Sequence, residues 1–435
     1  MSSPPEITIK TAIRHPRLRY VLRVVGDDLG YRFRFYNDRS VFDRAEPAYL
    51  ISYGERGDHN LPAHPLLSGK DYDFSREAED FVTDDRGRVT ICQTPDGPDL
   101  LAAVFFCLSR YEEYHDFTAD NHDRFPASAS HARRFGYLGR PVVREWTAAL
   151  GTQLTTWFPG LPSPKVRPLR FEPTYDIDLL WAYQHRGWRG YASGLRDLAR
   201  GKIKRCVARF TTAADDDPYQ TLPFLESLHH KYQLQPTYFW LVSDRSLSED
   251  ANPYPIPERQ TEWIIALSQT AMVGIHPSYA SNERPSLIEE EKDRLEAIIG
   301  SPVTHSRQHF LKVRFPETYQ QLLRHGIRAD HTMGYGDGIG WRAGTNLPFP
   351  WYDLEHEKET RLTVHPFAAM DVTLRKYLDL SAAEAEAEIL SLAGAVSPYG
   401  GPFVLLWHNS SFAPAFGWTG WREMYERLVH ALASE

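Results

Sequence analysis

The sequence predicts an α/β chain: a distorted (β/α) barrel of about seven strands over residues 165–435, preceded by a smaller α+β unit over residues 1–164. Three observations carry this. From about residue 168 onward, short apolar segments alternate with amphipathic segments of helical period, the pattern of βαβ units around a parallel sheet. The stretch WFPGLPSPKVRPLRFEP, residues 157–173, holds five prolines. Proline removes backbone donors and fixes φ, so this stretch reads as a connector between separately packed units. Finally, the segments read as strands end in acids, histidines and an arginine, and barrels place their active sites at the C-terminal ends of their strands.

The first unit contains ITIKTAIRHPRLRYVLRVV, YRFRFY, VFFCLSRYEEY and PVVREWTAAL, a mixture without a recognisable chemical motif. Residues 109–128, SRYEEYHDFTADNHDRFPAS, are rich in charge and aromatic rings and read as a surface loop packed against the second unit. In the second unit PTYDID is followed by a basic insert, Arg186 to Arg209, and a helical pattern from Tyr219 to Tyr232. Then come PTYFWLV, a helix around Thr261–Ala271, GIHPSY and a charged helix over Ser286–Ile299. HSRQHFL, the helix FPETYQQLLRHGI and ADHTMGY continue the series. It ends with RLTVHPF, a helix over Ala382–Ala395, GPFVLLWHN and a last helix over Trp421–Ala431. Six or seven such units suggest a barrel more than an open sheet. The glycine-rich GYGDGIGWRAGT, residues 334–345, reads as a flexible loop over the site. It lacks the strand-to-helix setting of a phosphate-binding loop.

Composition excludes several classes. The 435 residues are 42% hydrophobic and 13% aromatic, enough for a packed core and against global disorder. The net charge of −8 and the absence of a basic stripe interleaved with aromatic rings argue against a nucleic-acid partner. Cys92, Cys107 and Cys206 form no CxxC pair, so a reducing compartment is the simpler reading. The start, MSSPPEITIK, lacks the basic-then-apolar pattern of a signal peptide. The apolar run Leu100 to Leu108 is too short to span a bilayer. The expectation is a cytoplasmic protein with no membrane span.

The chemistry concentrates in EPTYDIDLLW. Side chains alternate along a strand, so Asp176 and Asp178 would point the same way, about 6–7 Å apart. Two carboxylates side by side on a half-buried strand are costly unless something compensates them. His276 ends GIHPSY, Arg307 and His309 lie in SRQHF, and His408 closes VLLWHN, so four strands offer polar groups at one end. Singly, each has a bland reading: a helix cap for either aspartate, a satisfied core histidine, an arginine paired with a carboxylate. Jointly, they suit a divalent metal, since carboxylate oxygen and imidazole nitrogen are ligands for Zn²⁺ and similar ions, Co and Ni among them. A carboxylate left outside the coordination would be free to act as a base, held ionised by Arg307.

TYDID, GIHPSY, SRQHF and LLWHN, in this order, resemble the motifs of the polysaccharide deacetylases with the NodB-homology domain, carbohydrate esterase family 4. The resemblance covers roughly residues 168–435, and the first unit resembles an uncharacterised N-terminal domain found in a bacterial branch of that family. It implies a NodB-like barrel that hydrolyses acetyl groups on a sugar or polysaccharide precursor with a divalent metal, usually zinc. It implies Asp176 as general base, Asp178 and His276 as metal ligands, Arg307 as the tether of the base and His408 as general acid. It also offers Asp330 as the acid supporting His408. Two departures stand out: an isoleucine separates the aspartates, and the family's second histidine falls at Ala280. His309 is the candidate replacement for that ligand, with water, substrate or no stable metal as the alternatives. A catalytically inactive fold that binds glycan and a glycoside hydrolase using Asp176 are the competing readings. Tyr175, Trp181, Tyr279, Tyr335, Trp341 and Trp407 lie on the same segments and could stack on sugar rings, though most aromatic residues are packing residues. His365 in TVHPF either lines the pocket or is structural.

Overall fold

The structure is a computed structural model that describes residues 3–36, 48–85, 87–115, 117–244 and 247–433. Its larger sheet has nine strands, in the order Phe349–Asp353, Lys358–Pro366, Ala329–Met333, His305–Ser306, Met272–Ile275, Thr237–Trp240, Leu169–Ile177, Gly401–His408 and Ala369–Met370. All neighbours are parallel except Phe349–Asp353, which runs antiparallel to Lys358–Pro366. The strands Phe349–Asp353 and Ala369–Met370 were not foreseen. One reads through a proline and the other is two residues long, too little for an alternation to show.

The sheet is a curled open barrel. Arg307, just past His305–Ser306, reaches Asp176 on Leu169–Ile177 although two strands lie between them. Flat strands about 4.8 Å apart would hold these positions roughly 14 Å from each other. The segment after Lys358–Pro366 spans the gap: Phe367 N donates to the Met333 carbonyl at 3.2 Å, and Ala368 N to the Val404 carbonyl at 2.9 Å. Helices Leu222–Tyr232, Glu258–Ser268, Ser286–Ile299, Glu317–Arg324, Ala382–Val396 and Trp421–Ala433 cover the outside. Each lies where the 3.6-residue pattern placed it, within a few residues at the ends.

The first unit holds a four-stranded sheet, Arg32–Phe35, Glu6–Lys10, Leu50–Tyr53 and Asn60–Leu61, all parallel. The helix Pro16–Leu29 begins with proline at its first position, where the missing N–H costs nothing, and stops at Gly30 in the left-handed region. The apolar run Leu100–Leu108 is a buried helix capped by Asp99, whose carboxylate accepts from the Leu101 and Ala102 amides. One apolar cluster runs from Ile7 to Leu432, so the two sheets share a core.

The two ends of residues 109–128 are buried, at Ser109–Glu113 and at Arg124, Phe125 and Ala127, while the described residues between them lie half-buried or exposed at the surface; Asp116 is outside the described residues. Arg110, Glu112, Glu113 and Arg342 form a buried ionic cluster across the units. Arg342 Nε donates to Glu113 Oε1 at 2.9 Å, and Arg110 Nη2 to the Tyr335 hydroxyl at 3.2 Å. The glycine-rich residues 334–345 are therefore a packed connector rather than an open loop. At Gly340, with φ at 118°, a Cβ would stand 2.3 Å from the Leu138 carbonyl oxygen.

Removing one partner of a buried ion pair strands the other charge, so Glu113→Ala should cost about 3–5 kcal/mol in urea unfolding, far above an exposed pair such as Arg76–Glu79. His229, buried beneath the sheet with its Nε2 2.7 Å from the Tyr175 hydroxyl, is pushed down to about 4 by desolvation. Its folded value lies below the unfolded one, so the stability it supports is complete above about pH 6.5 and lost as pH falls toward about 4. His229→Asn should shrink the acid-induced loss over that window by on the order of 3 kcal/mol in denaturant titrations.

Candidate metal centre and acid–base site

Asp176 is buried at 2% exposure on Leu169–Ile177, and Arg307 Nη1 donates to its Oδ1 at 2.9 Å. The Arg307 guanidinium is itself fully used. Its Nη2 donates to Thr174 Oγ1 at 2.7 Å, its Nε to the His331 carbonyl at 2.9 Å, and it lies over the Phe239 ring at 4.5 Å. Gly274 makes room for that ring: a Cβ there would stand 2.7 Å from Phe239. The second oxygen of Asp176 faces His276 Nε2 at 3.7 Å.

Asp178 stands just past the strand end, with Oδ1 3.3 Å from His276 Nε2. Its Oδ2 is 3.8 Å from His309 Nε2 and 3.8 Å from His408 Nε2. The structure therefore brings six of the seven singled-out residues, Asp176, Asp178, His276, Arg307, His309 and His408, to one end of the sheet. Burial would raise the Asp178 carboxyl, but the positive charge at His309 and at His408 holds it well below the ordinary range.

His276 Nδ1 lies 2.6 Å from the Arg307 carbonyl, which can only accept, so the proton sits on Nδ1 in the neutral ring. Its Nε2 lone pair then faces two carboxylates. His276 Nε2 and Asp178 Oδ1 are both buried without a hydrogen-bond partner among the described residues. Acceptors facing acceptors in a buried site call for a cation between them. One donor atom each from Asp178, His276 and His309 lies within 4.8 Å of the others. Ligands about 2.0–2.1 Å from a tetrahedral Zn²⁺ sit roughly 3.3 Å apart, so the 3.3 and 3.8 Å separations need only small adjustment. The residues present fit a zinc-like ion.

His309 is oriented from behind. Its Nδ1 donates to Asp250 Oδ1 at 2.9 Å, and Asp250 also accepts from the Tyr279 amide at 2.7 Å and the Ala280 amide at 3.1 Å. A carboxylate behind a ligating imidazole fixes its tautomer and raises its basicity. Position 280, where a second motif histidine would stand, contributes only its backbone. Despite burial, Asp178 and Asp250 push the His309 imidazole up to about 9. Sequence reasoning missed Asp250, which lies in an irregular loop ten residues beyond Thr237–Trp240, out of reach of any periodicity.

The acid behind His408 is Asp371, not Asp330. His408 Nδ1 is 2.8 Å from Asp371 Oδ1, and the His408 amide donates to Asp371 Oδ2 at 2.7 Å. Burial lowers and Asp371 raises the His408 imidazole, which stands at about 9. Asp330 faces the other side of its strand, by the period-two alternation that sends Arg307 and His331 inward. There it accepts from Ser306 Oγ at 3.0 Å, the Tyr319 hydroxyl at 2.9 Å and Thr332 Oγ1 at 2.8 Å. It is a structural acid. Asp371 follows Ala369–Met370, so missing that short strand meant missing its acid.

Five of the aromatic residues named for sugar stacking, Tyr175, Trp181, Tyr335, Trp341 and Trp407, are fully buried in the core. Tyr279 alone of the six is partly open, beside Phe310. His365 stacks on His331 at 4.2 Å between ring centroids, and His331 Nε2 lies 3.1 Å from His305 Nδ1.

Residues 7–159 match a family described only as a family of unknown function, DUF7033. No curated protein matches the chain. Among solved structures, the chain is similar to a Mycobacterium smegmatis protein carrying the provisional name polysaccharide deacetylase, at 13% identity and a TM-score of 0.39, over 62% of this chain and 89% of that one. It is also similar to a mutant of BA3943, a CE4 family pseudoenzyme with restored enzymatic activity, at 9% identity and 0.29, over 62% of this chain and 64% of that one. A third is the polysaccharide deacetylase Bc1974 from Bacillus cereus, at 11% identity and 0.28, over 61% and 86%.

Because Asp250 aims His309, Asp250→Ala should weaken zinc binding by about 10–100-fold in competition with a chromogenic chelator. An unchanged affinity would mean that His309 is not a ligand.

Proposed function

We propose that the chain is a metal-dependent hydrolase that removes N-acetyl or O-acetyl groups from a carbohydrate, with residues 165–435 carrying the site and residues 1–164 bracing it. The observation that carries this reading is the pairing, within one buried cluster, of a cation-demanding Asp178–His276–His309 set with a separate carboxylate and a separate imidazole. The motif resemblance narrows the acyl group to acetyl on a sugar. Asp178, His276 and His309 would hold the ion, and Zn²⁺, Co²⁺ or Ni²⁺ suits that donor set. A bound ion of this kind polarises an acyl carbonyl and lowers the pKa of water.

The chain's own groups account for the proton traffic. Asp176 keeps one oxygen on Arg307 and turns the other toward the cluster, so Oδ2 is the atom that takes a proton from the attacking water. Arg307, saturated by Thr174 and the His331 carbonyl, cannot swing away, which fixes that oxygen's direction. His408 presents Nε2 to the cluster from the neighbouring strand while Asp371 holds Nδ1–H, so Nε2 is the atom that delivers a proton to the departing amine or alcohol. Base and acid thus stand on adjacent strands, at the registered pair Asp176 and His408.

Ala280 favours a second reading, a catalytically inactive fold that binds glycan, because the cluster then depends on His309 for its third ligand. Metal analysis separates the two. About one zinc-like ion per chain, lost in Asp178→Ala and in His276→Ala, supports the enzyme; no ion after loading with zinc, cobalt or nickel supports the binding protein. With metal in place, Asp176→Asn and His408→Ala should each lower acetate release from acetylated amino-sugar oligomers by about 10²–10⁴-fold. Near-wild-type turnover in either variant would remove the role assigned to that residue.

A further inference from the structure

The basic insert between Asp178 and the helix Leu222–Tyr232 folds as two helices, Gly187–Ala199 and Ile203–Thr211, packed against each other. On the first, Tyr191, Leu195 and Leu198 stand at positions i, i+4 and i+7; on the second, Ile203, Val207 and Phe210 repeat the same spacing. That spacing normally marks the face a helix buries. Here all six side chains face solvent, from 52% exposed at Leu198 to 69% at Leu195. The two stripes are continuous: the Tyr191 and Phe210 rings lie 5.9 Å apart, and Phe210 packs on Gly194. Contiguous exposed apolar surface of this kind marks an interaction site.

The charge around the stripe selects the partner. Residues 186–209 hold eight basic residues and one acid, Asp197, in a chain whose net charge is −8. Asp197 is buried and neutralised by Arg205 Nε at 3.2 Å and Arg209 Nη2 at 3.0 Å, so it does not offset the exposed Arg196, Arg200, Lys202 and Lys204. Protein–protein interface cores are depleted in lysine and in like-charged clusters. Helices that lie in a membrane interface combine an aliphatic and aromatic face with flanking lysine and arginine. We propose that this helical hairpin docks the protein on the surface of an anionic lipid bilayer, its six apolar side chains entering the acyl boundary and its cations meeting the headgroups. Among the described residues no helix is long and apolar enough to cross a membrane, so the contact is peripheral.

The hairpin is fixed to the rim that carries the metal cluster. Arg209 Nη1 reaches the Ala182 carbonyl at 3.4 Å, Gln184 Nε2 donates to the Thr212 carbonyl at 2.7 Å, and Asp217 accepts from the Ala182 and Tyr183 amides at 2.7 and 2.8 Å. Ala182 is four residues beyond Asp178. Docking would hold this end of the sheet near the lipid surface; on the deacetylase reading, to which this clause alone is tied, the acetyl sugar is one presented at a bilayer.

Flotation of the full chain with phosphatidylcholine vesicles, with and without phosphatidylglycerol, tests the proposal without any turnover. The protein should float with the anionic vesicles and detach as salt rises. Leu195→Glu/Ile203→Glu/Val207→Glu should lower the vesicle partition constant more than about tenfold, with an unchanged thermal melt because these side chains touch water already. Lys202→Gln/Lys204→Gln should weaken binding to anionic vesicles and leave binding to neutral ones unchanged. Asp178→Ala should still float, which separates this contact from the metal site. Failure of the wild type to float, or flotation of the glutamate variant at wild-type level, overturns the proposal. Self-association of the wild type, abolished by the glutamate substitutions with no vesicle binding, would overturn it in favour of a second copy of this chain.

Discussion

The charge pair between Asp176 and Arg307 organises the barrel end of the molecule. A carboxylate and a guanidinium, each almost wholly withdrawn from water, would cost several kcal/mol apiece if left alone. They are tolerable because they pair with each other and the other two guanidinium nitrogens are bonded to Thr174 and the His331 carbonyl, with the Phe239 face beneath. That pairing constrains the sheet. Arg307 can reach Asp176 only if the strands curl, and it can lie over Phe239 only because Gly274 leaves the space. The pair therefore ties four consecutive strand ends into one geometry, and the remaining acids and imidazoles stand around it.

Asp178 shows the complementary situation. No arginine or lysine is bonded to it among the described residues; three imidazoles surround it at 3.3–3.8 Å, each oriented from behind by a different acceptor. The Arg307 carbonyl holds His276, Asp250 holds His309, and Asp371 holds His408. Outer partners of this kind decide which nitrogen is free to act. They leave His276 Nε2 and Asp178 Oδ1 facing each other unbonded, a local electrostatic debt that a cation would settle.

Residues from the N-terminal part of the chain take part in holding this arrangement. Phe310 and Leu311, directly after His309, both have φ near +60°, a conformation that costs side-chain-bearing residues on the order of 1 kcal/mol or more each. Arg124 from the first unit donates to the Phe310 carbonyl at 2.8 Å, steadied by Asp120 and the Tyr377 hydroxyl. The Arg110–Glu112–Glu113–Arg342 cluster locks the glycine-rich connector against the same unit. Contacts from residues 110–124 thus brace a loop that the strands around it hold less firmly by themselves.

By itself the sequence determined the alternation of strands and helices, the βαβ pattern from about residue 168 onward, and seven site candidates, six of which the fold brings to one end of the sheet. Those features are local: period-two and period-3.6 patterns, and polar residues at the ends of apolar runs. It could not place Asp330 and Asp371, because choosing between two buried acids requires knowing which face of the strand each one uses and which strand neighbours His408. Asp250, the orientation of His309 and the burial of five named aromatic rings depend on contacts between segments far apart in the chain. The helical hairpin is the converse case. Its pattern would ordinarily predict a buried face, and only the tertiary structure showed that nothing among the described residues covers it.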